Sequence, residues 1–436
     1  MALSNEVIGA LGLIALIILV LAQVPVGVAL GCVGFFGYVA IEGWTAALVA
    51  LGTTPFDIAR NYSFSVVPLF VLMGVVAAKT NLARELFESV NSLFSGLRGS
   101  LAIASVGTCA GFGAISGSSL ATAATISRIA VPEMQRFGYD VRIATGTVAS
   151  AGTLGILIPP SIIMVIYAIV AEESVAHLFA AGILPGLLLA LLHVVAIVIL
   201  GWIYPDRLPV AESDSLIVRI KAIAGFWKLS LLFALAVGGI YLGWFSPTEA
   251  AAVGAFAAIL IAWVTGQLTR DILTESFRET VRTTAMLFIV ILGGFMFGYF
   301  MVFSKIPASL GGWIQDAGMS VNLVIFCVVI MYIVFGLFLD SVSMMLITVP
   351  VFLPIFVTMG LDPIWFGVFI VVVAEIGLIT PPVGLNIFVI KSQLPDIPIG
   401  QIYVGIIPFL FVDLSLIVIL VIFPGLATWL PRILLG

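Results

Sequence analysis

The sequence predicts an all-α polytopic membrane protein made of two internal structural repeats. Three observations carry this. Of 436 residues, 62% are hydrophobic and 9% are charged, against about 25% charged in an ordinary soluble domain. Surface area grows too fast with mass for a soluble fold of this size to hide so much apolar surface, so lipid is the solvent for most of the chain. Apolar stretches then follow one another with only short breaks, and an offset of 222 residues carries one set of Pro, Gly and Asp positions onto another.

Taken in order, residues 1–23 read MALSNEVIGALGLIALIILVLAQ. They lack the positive n-region of a cleavable signal and run past Pro25 into a second apolar segment, so they form a first helix that stays. Residues 79–98 alternate apolar and polar positions at helical spacing, as a helix lying in the membrane interface does. Residues 205–228 hold Arg207, Arg219, Lys221 and Lys228, which makes this break the best cytoplasmic loop. Trp202, Tyr204 and Trp244 close apolar runs and read as interfacial anchors. Ser246, Pro247 and Glu249 spell an N-cap, a first-turn proline and a capping-box acid. A span needs about 20 residues; several runs are longer and others are cut by Gly or Pro, which leaves about 10–14 embedded pieces. The organisation reads as N-terminal scaffold helices (1–60), a first repeat (61–204), a connecting loop with scaffold helices (205–282), a second repeat (283–400) and a C-terminal helix (401–436).

The remaining residues exclude most chemistry. A net charge of −5 without a basic run excludes a nucleic-acid partner. HExxH, GxSxG and GxxxxGK[ST] motifs are absent, so the chain is not read as an enzyme. Cys32, Cys109 and Cys327 form no ligand cluster and read as small packing residues. His193, inside an apolar run, reads as a hydrogen-bonded helix histidine, with a proton relay as the alternative. Asp413 reads as a contact to a neighbouring helix.

The repeat rests on residues that set backbone geometry. The offset carries Ser119 onto Ser341, Pro132 onto Pro354, Gly138 onto Gly360, Asp140 onto Asp362, Gly155 onto Gly377 and Pro159-Pro160 onto Pro381-Pro382, without a gap. Duplication with matched helix breaks is the usual build of secondary transporters. Residues 107–125, GTCAGFGAISGSSLATAAT, interrupt an apolar run with glycines and hydroxyls. Backbone that leaves helical geometry at membrane depth must find protein, water or an ion as partner, and its carbonyls with Ser and Thr hydroxyls suit a hard cation such as Na⁺. Small-residue helix packing is the competing reading. The second break is the Pro-Pro pair, which removes two N–H donors and forces extended backbone before it. It predicts a re-entrant tip or a discontinuous helix, favoured over a kinked span. Asp340 and Glu375 place carboxylates where the first copy has Ser118 and Thr153; each either helps a cation site or bonds exposed amides.

Together these residues resemble the large membrane subunit of the tripartite ATP-independent periplasmic (TRAP) transporters, the DctM-like proteins. The resemblance spans Val67 to about Pro408 and rests on VPLFVLMG, GFGAISGSSLATAAT, SAGTLGILIPPS, SPTEAAAVGA and EIGLITPPVGLN, in this order. It implies an elevator-type fold in the bacterial cytoplasmic (inner) membrane. It also implies Na⁺-coupled import of a small organic acid, a dicarboxylate or a sugar or sialic acid. Two partners follow, a small four-helix membrane subunit on a separate chain and a periplasmic substrate-binding protein. Carried onto this chain, Ser116, Ser118, Ser161 and Asn386 are the expected substrate-binding residues. Gly113, Gly117, Ser119, Thr122, Asp340, Ser341, Thr380 and Pro381 are the expected Na⁺ ligands. A stand-alone Na⁺-coupled carboxylate carrier or an ion antiporter is the alternative.

Overall fold

Helices account for the regular structure of the computed structural model, which describes residues 3–210 and 213–436, apart from one isolated bridge between Arg98 and Val210. Helices pair their own N–H and C=O groups, which lipid cannot do. The first half runs α1 (Asn5–Leu21), α2 (Val26–Glu42), α3 (Trp44–Arg60), α4 (Val66–Lys79), α5 (Leu82–Phe94), α6 (Ser100–Ser116), α7 (Ser119–Arg136), α8 (Val141–Ala151), α9 (Leu154–Leu157), α10 (Ile162–Val170) and α11 (Val175–Ile203). The second half runs α12 (Leu216–Ala224), α13 (Trp227–Phe233), α14 (Gly239–Tyr241), α15 (Pro247–Val264), α16 (Arg270–Ser304), α17 (Ile306–Asp316), α18 (Val321–Phe335), α19 (Ser341–Thr358), α20 (Pro363–Ile379), α21 (Leu385–Gln393), α22 (Ile399–Ile422) and α23 (Gly425–Leu435). Seven helical segments of the described residues are long and apolar enough to cross a membrane, or eight if α8–α9 and α10 form one bent span. Further apolar helices are 10–17 residues long.

The offset of 222 residues also relates helix bounds. It carries α7 onto α19 at both ends, and brings α2 against α15, α5 against α17, α6 against α18, α10 against α21 and α11 against α22. The pair α8–α9 falls on α20, α1 falls on the segment from α13 to α14, and α3 with α4 falls on the single long α16.

Short polar side chains start these helices. Ser118, Asp140, Ser161, Ser174, Thr269 and Asp362 each accept a hydrogen bond from a first-turn backbone N–H. At α15 the full capping box forms: the Glu249 amide donates to Ser246 Oγ, and the Ser246 amide donates to Glu249 Oε2 at 2.8 Å. Ser246→Ala is expected to cost about 1 kcal/mol, measured as a lower thermal midpoint of the purified protein, with Ser246→Asp close to wild type.

Packing sorts the helices into two groups. α1–α4 pack with α15 and α16, while α6–α11 pack with α18–α23. Glycine sets the closest approaches. A Cβ at Gly27 would lie 2.8 Å from the Val290 backbone N, and one at Gly34 would lie 2.5 Å from the Met296 carbonyl carbon, so α2 and α16 meet backbone to backbone. Small residues allow this approach, which is how helices gain van der Waals contact in lipid. The groups meet where α4 packs on α6 and α10, and where α16 packs on α19.

Several expectations change here. Long apolar runs divide, at Gly117, at 336–340, at 380–384 and at 423–424, so residues 401–436 hold two helices. Chain reversal occurs at Gly117 and not at the first Pro-Pro pair. The Leu101 amide, at the start of α6, donates to the Tyr139 hydroxyl, just past the end of α7, so α6 and α7 form a hairpin. Gly117 makes the turn with φ +60°, a left-handed conformation that glycine takes without a Cβ clash. At Pro159-Pro160 the path bends by only 44°, because extended backbone carries a chain onward. Helix α5 buries Leu82, Leu86, Phe87 and Val90 and packs on α6 and α12, so its apolar stripe is covered by protein. Residues 216–228 of the expected loop belong to a helical segment, 216–241, that passes as a span. Cys109 is buried, but Cys32 and Cys327 lie on exposed helix faces.

Candidate functional site

A cavity of about 350 Å³ lies between the two helix groups. One wall is α4 and α16, through Val71, Gly74, Val75, Glu279, Thr283 and Met286. The other is the tip of the α6–α7 hairpin, Ile162 at the start of α10, and the start of α19. The hairpin tip reaches the first wall directly: a Cβ at Gly74 would lie 2.8 Å from Ser116 Cα. The N-termini of α7 and α19, related by the repeat offset, both open on this cavity. Helix N-termini carry unpaired N–H groups and partial positive charge.

Six of the expected site residues line this one cavity: Ser116, Gly117, Ser118, Ser119, Asp340 and Ser341. The Ser118 hydroxyl caps α7. Asp340 stands at the N-cap position of α19, and its Oδ1 accepts from the Ser343 hydroxyl. The second carboxylate of the lining, Glu279, is paired with Lys79 at 2.8 Å. Asp340 has no cation within salt-bridge distance among the described residues. The Ser119 hydroxyl is 1% exposed; it faces the Glu375 carboxyl but makes no hydrogen bond of good geometry. Such a buried unpaired group costs about 1–3 kcal/mol.

The other expected residues stand behind or beside the cavity lining. Thr122 Oγ1 donates to the Ser118 carbonyl at 2.8 Å and is 2.9 Å from Ser116 Oγ, so it ties the hairpin tip together. Gly113 is stacked on Gly155 of α9, and a Cβ at Gly117 would lie 2.9 Å from the Pro160 carbonyl oxygen. The Gly/Ser break and the first Pro-Pro pair are therefore one packed unit. Ser161 is buried and caps α10. Thr380 Oγ1 donates to the Ile376 carbonyl at 2.6 Å, and Pro381 follows in a cis bond to Pro382. Asn386 is 0% exposed, and neither amide atom has a partner. The two copies brace each other: α10 packs on α19, and α21 packs on α7. Behind the cavity, Ser341 donates to Glu375 Oε1 at 2.8 Å, leaving Oε2 unpaired.

Sequence reasoning missed the α4 and α16 wall, because Val71, Val75 and Met286 look like any lipid-facing stretch and Glu279 and Thr283 fall in the polar first turns of α16. It also missed Ser150, which binds His193 and Asp413 in one buried cluster. No group of three or more His, Cys, Asp or Glu suited to a metal ion occurs among the described residues.

A bundle of membrane-length helices, broken at paired positions around a largely apolar cavity with a few polar groups, is the build of a secondary transporter. The family model described as "Tripartite ATP-independent periplasmic transporter, DctM component" matches residues 13–426. The chain belongs to this family, as a large permease subunit and a multi-pass protein of the bacterial inner membrane. It is 38% identical over 379 residues to the C4-dicarboxylate TRAP transporter large permease protein DctM of Pseudomonas aeruginosa, covering 86% of this chain and 88% of that one. It is 31% identical to the ectoine/5-hydroxyectoine TRAP transporter large permease protein UehC of Ruegeria pomeroyi, covering 96% and 97%. Among solved structures, the YdaH transporter of Alcanivorax borkumensis, described as having an unusual topology, shares the fold with a TM-score of 0.66 at 16% identity, covering 89% of this chain and 90% of that chain.

Proposed function

We propose that this chain is the translocating subunit of a Na⁺-coupled importer of a small organic acid. A periplasmic binding protein delivers the acid, and a separate small four-helix membrane subunit completes the membrane complex. The observation that carries the reading is the cavity between the helix groups, with two repeat-related helix N-termini on it and Ser116, Ser118, Ser119 and Ser341 in its lining. Half-helix N-termini favour the carboxylate of an acid, while unwound backbone, hydroxyls and the Asp340 carboxylate favour a hard cation. Relatives are named for C4-dicarboxylate, ectoine and isethionate, so the reading goes no finer than a small organic acid. The correspondence of helix bounds across the two halves supports a duplicated fold. The place of the cavity, between one group and the other, supports an elevator in which the α6–α11 and α18–α23 group moves against α1–α4, α15 and α16.

Reconstitution tests this. Liposomes holding this chain and its small subunit are expected to accumulate a carboxylic acid only with the binding protein outside and a Na⁺ gradient directed inward. Accumulation without the binding protein would favour a stand-alone carrier, and accumulation without the gradient would end the Na⁺ coupling.

A further inference from the structure

A second polar cluster lies among α8, α11 and α22, away from the cavity. Ser150, His193 and Asp413 are each at most 1% exposed. Ser150 Oγ is 2.7 Å from His193 Nε2 and 2.6 Å from Asp413 Oδ2. His193 Nδ1 is 2.8 Å from the Leu189 carbonyl oxygen. The ring stacks on Phe409, which holds its plane. Asp413 Oδ1 has no hydrogen-bond partner. A void of about 10 Å³, room for about one water molecule, is lined by Asp413, Glu375 and Thr153.

Counting hydrogens settles what this cluster holds. A carbonyl oxygen only accepts, so Nδ1 carries a hydrogen and donates to Leu189. A neutral imidazole has one N–H, so its Nε2 is then a bare acceptor. The two contacts along Nε2, Oγ and Oδ2 need two hydrogens, and the Ser150 hydroxyl supplies one. The second sits either on Nε2, giving imidazolium and carboxylate, or on Oδ2, giving imidazole and carboxylic acid. Both forms hold one proton more than a neutral histidine beside an ionised aspartate, and both are neutral overall. Without that proton one contact loses its hydrogen, and a buried carboxylate stands without a counter-charge, which is costly in a membrane interior.

Among the described residues, no Lys or Arg forms a salt bridge with Asp413. On the helices packed against α22, the remaining titratable groups are Arg142 of α8, His177 of α11, Glu375 and its helix N-cap Asp362 on α20, Lys391 of α21 and Arg432 of α23. Tyr403 lies on α22 itself and donates to the Pro382 carbonyl. Arg432 pairs with Asp362 at 3.7 Å, Lys391 bonds the Pro395 and Ile397 carbonyls, and Arg142 is exposed at the start of its helix. Packed against α11 are also Cys109 of α6 and Tyr167 of α10, whose hydroxyl donates to the Pro363 carbonyl. Glu375 is the second carboxyl on the void.

We propose that Asp413, Ser150 and His193 form an intramembrane proton-binding site that holds one proton in this conformation. Uptake takes that proton from water and neutralises the cluster; release returns it and leaves the carboxylate bare. The packing of α8, α11 and α22 thereby depends on a bound proton, independently of the Na⁺ reading.

The test is spectroscopic, on the full chain in lipid nanodiscs at neutral pH. His177→Gln leaves His193 as the single histidine for ¹⁵N magnetic resonance, and infrared spectra with ¹³C-aspartate labelling report protonated aspartate carboxyls. The expected result is one of two signatures: a doubly protonated His193, or a protonated aspartate band that Asp413→Asn removes. The carboxamide that Asp413→Asn introduces donates in place of the bound proton, so this variant is expected to fold with a neutral imidazole. If it does not fold, the labelled wild-type spectra decide alone. A neutral imidazole together with fully ionised aspartates would overturn the proposal.

Discussion

Gly405→Leu is expected to abolish the folded protein. Helices α8 and α22 cross with no side chain between them. A Cβ at Gly405 would run into the Arg142 carbonyl group, and one at Gly146 would run into the Gly405 carbonyl group. Overpacking costs typically 1–3 kcal/mol and more when nothing can yield, and backbone yields least. The crossing also aligns Ser150 with Asp413, so the buried cluster would be lost with it. The measurement is the yield of monodisperse protein by size exclusion in detergent, where Gly405→Leu is expected to fall to a small fraction of wild type. Gly400→Leu is the control: it lies on the same helix with no atom within 4 Å of its Cβ, and is expected to behave as wild type. Equal yields for the two variants would mean that this crossing is not close.

Ser119→Ala and Asn386→Leu are expected to separate Na⁺ response from stability. Both side chains are buried with unpaired polar atoms, and such groups cost about 1–3 kcal/mol each. Removing a group that serves only a ligand leaves the ligand-free protein as stable as before, or more so. Wild type in Na⁺ at 100 times its Kd is expected to gain about 2.7 kcal/mol over the ligand-free state, read as a rise in thermal midpoint against a choline control. In the two variants that rise is expected to shrink or vanish, while the midpoint in choline holds. A fall in the choline midpoint with an intact Na⁺ rise would make both residues structural.

Much of the local structure is legible in the sequence because it is local in cause. Ser246 and Glu249 form their capping box within one helical turn. Pro159-Pro160 and Pro381-Pro382 interrupt their helices where extended backbone is forced. The cavity residues from Ser116 to Ser119 stand out because hydroxyls and glycine at membrane depth are conspicuous among aliphatics. The hairpin at Gly117 is harder to read, because either break could have reversed the chain. A contact between Leu101 and Tyr139, 38 residues apart, shows which one does. Gly113 shows the same limit: its composition fits an ion-binding break, and its position places it on Gly155.

The solvent, the helical class, the paired breaks and the small set of polar residues that interrupt the apolar runs are all legible along the chain. Each follows from hydropathy, or from backbone constraints acting over a few residues. Which of those residues meet depends on how helices far apart in the chain pack. Ser150 is inconspicuous in a run of small residues until helices 43 and 263 residues away bring His193 and Asp413 against it. Cys32 and Cys327 face outward although their runs are as apolar as that of Cys109. In lipid both faces of a helix are apolar, so hydropathy does not distinguish the face that meets protein from the face that meets the bilayer; close packing does.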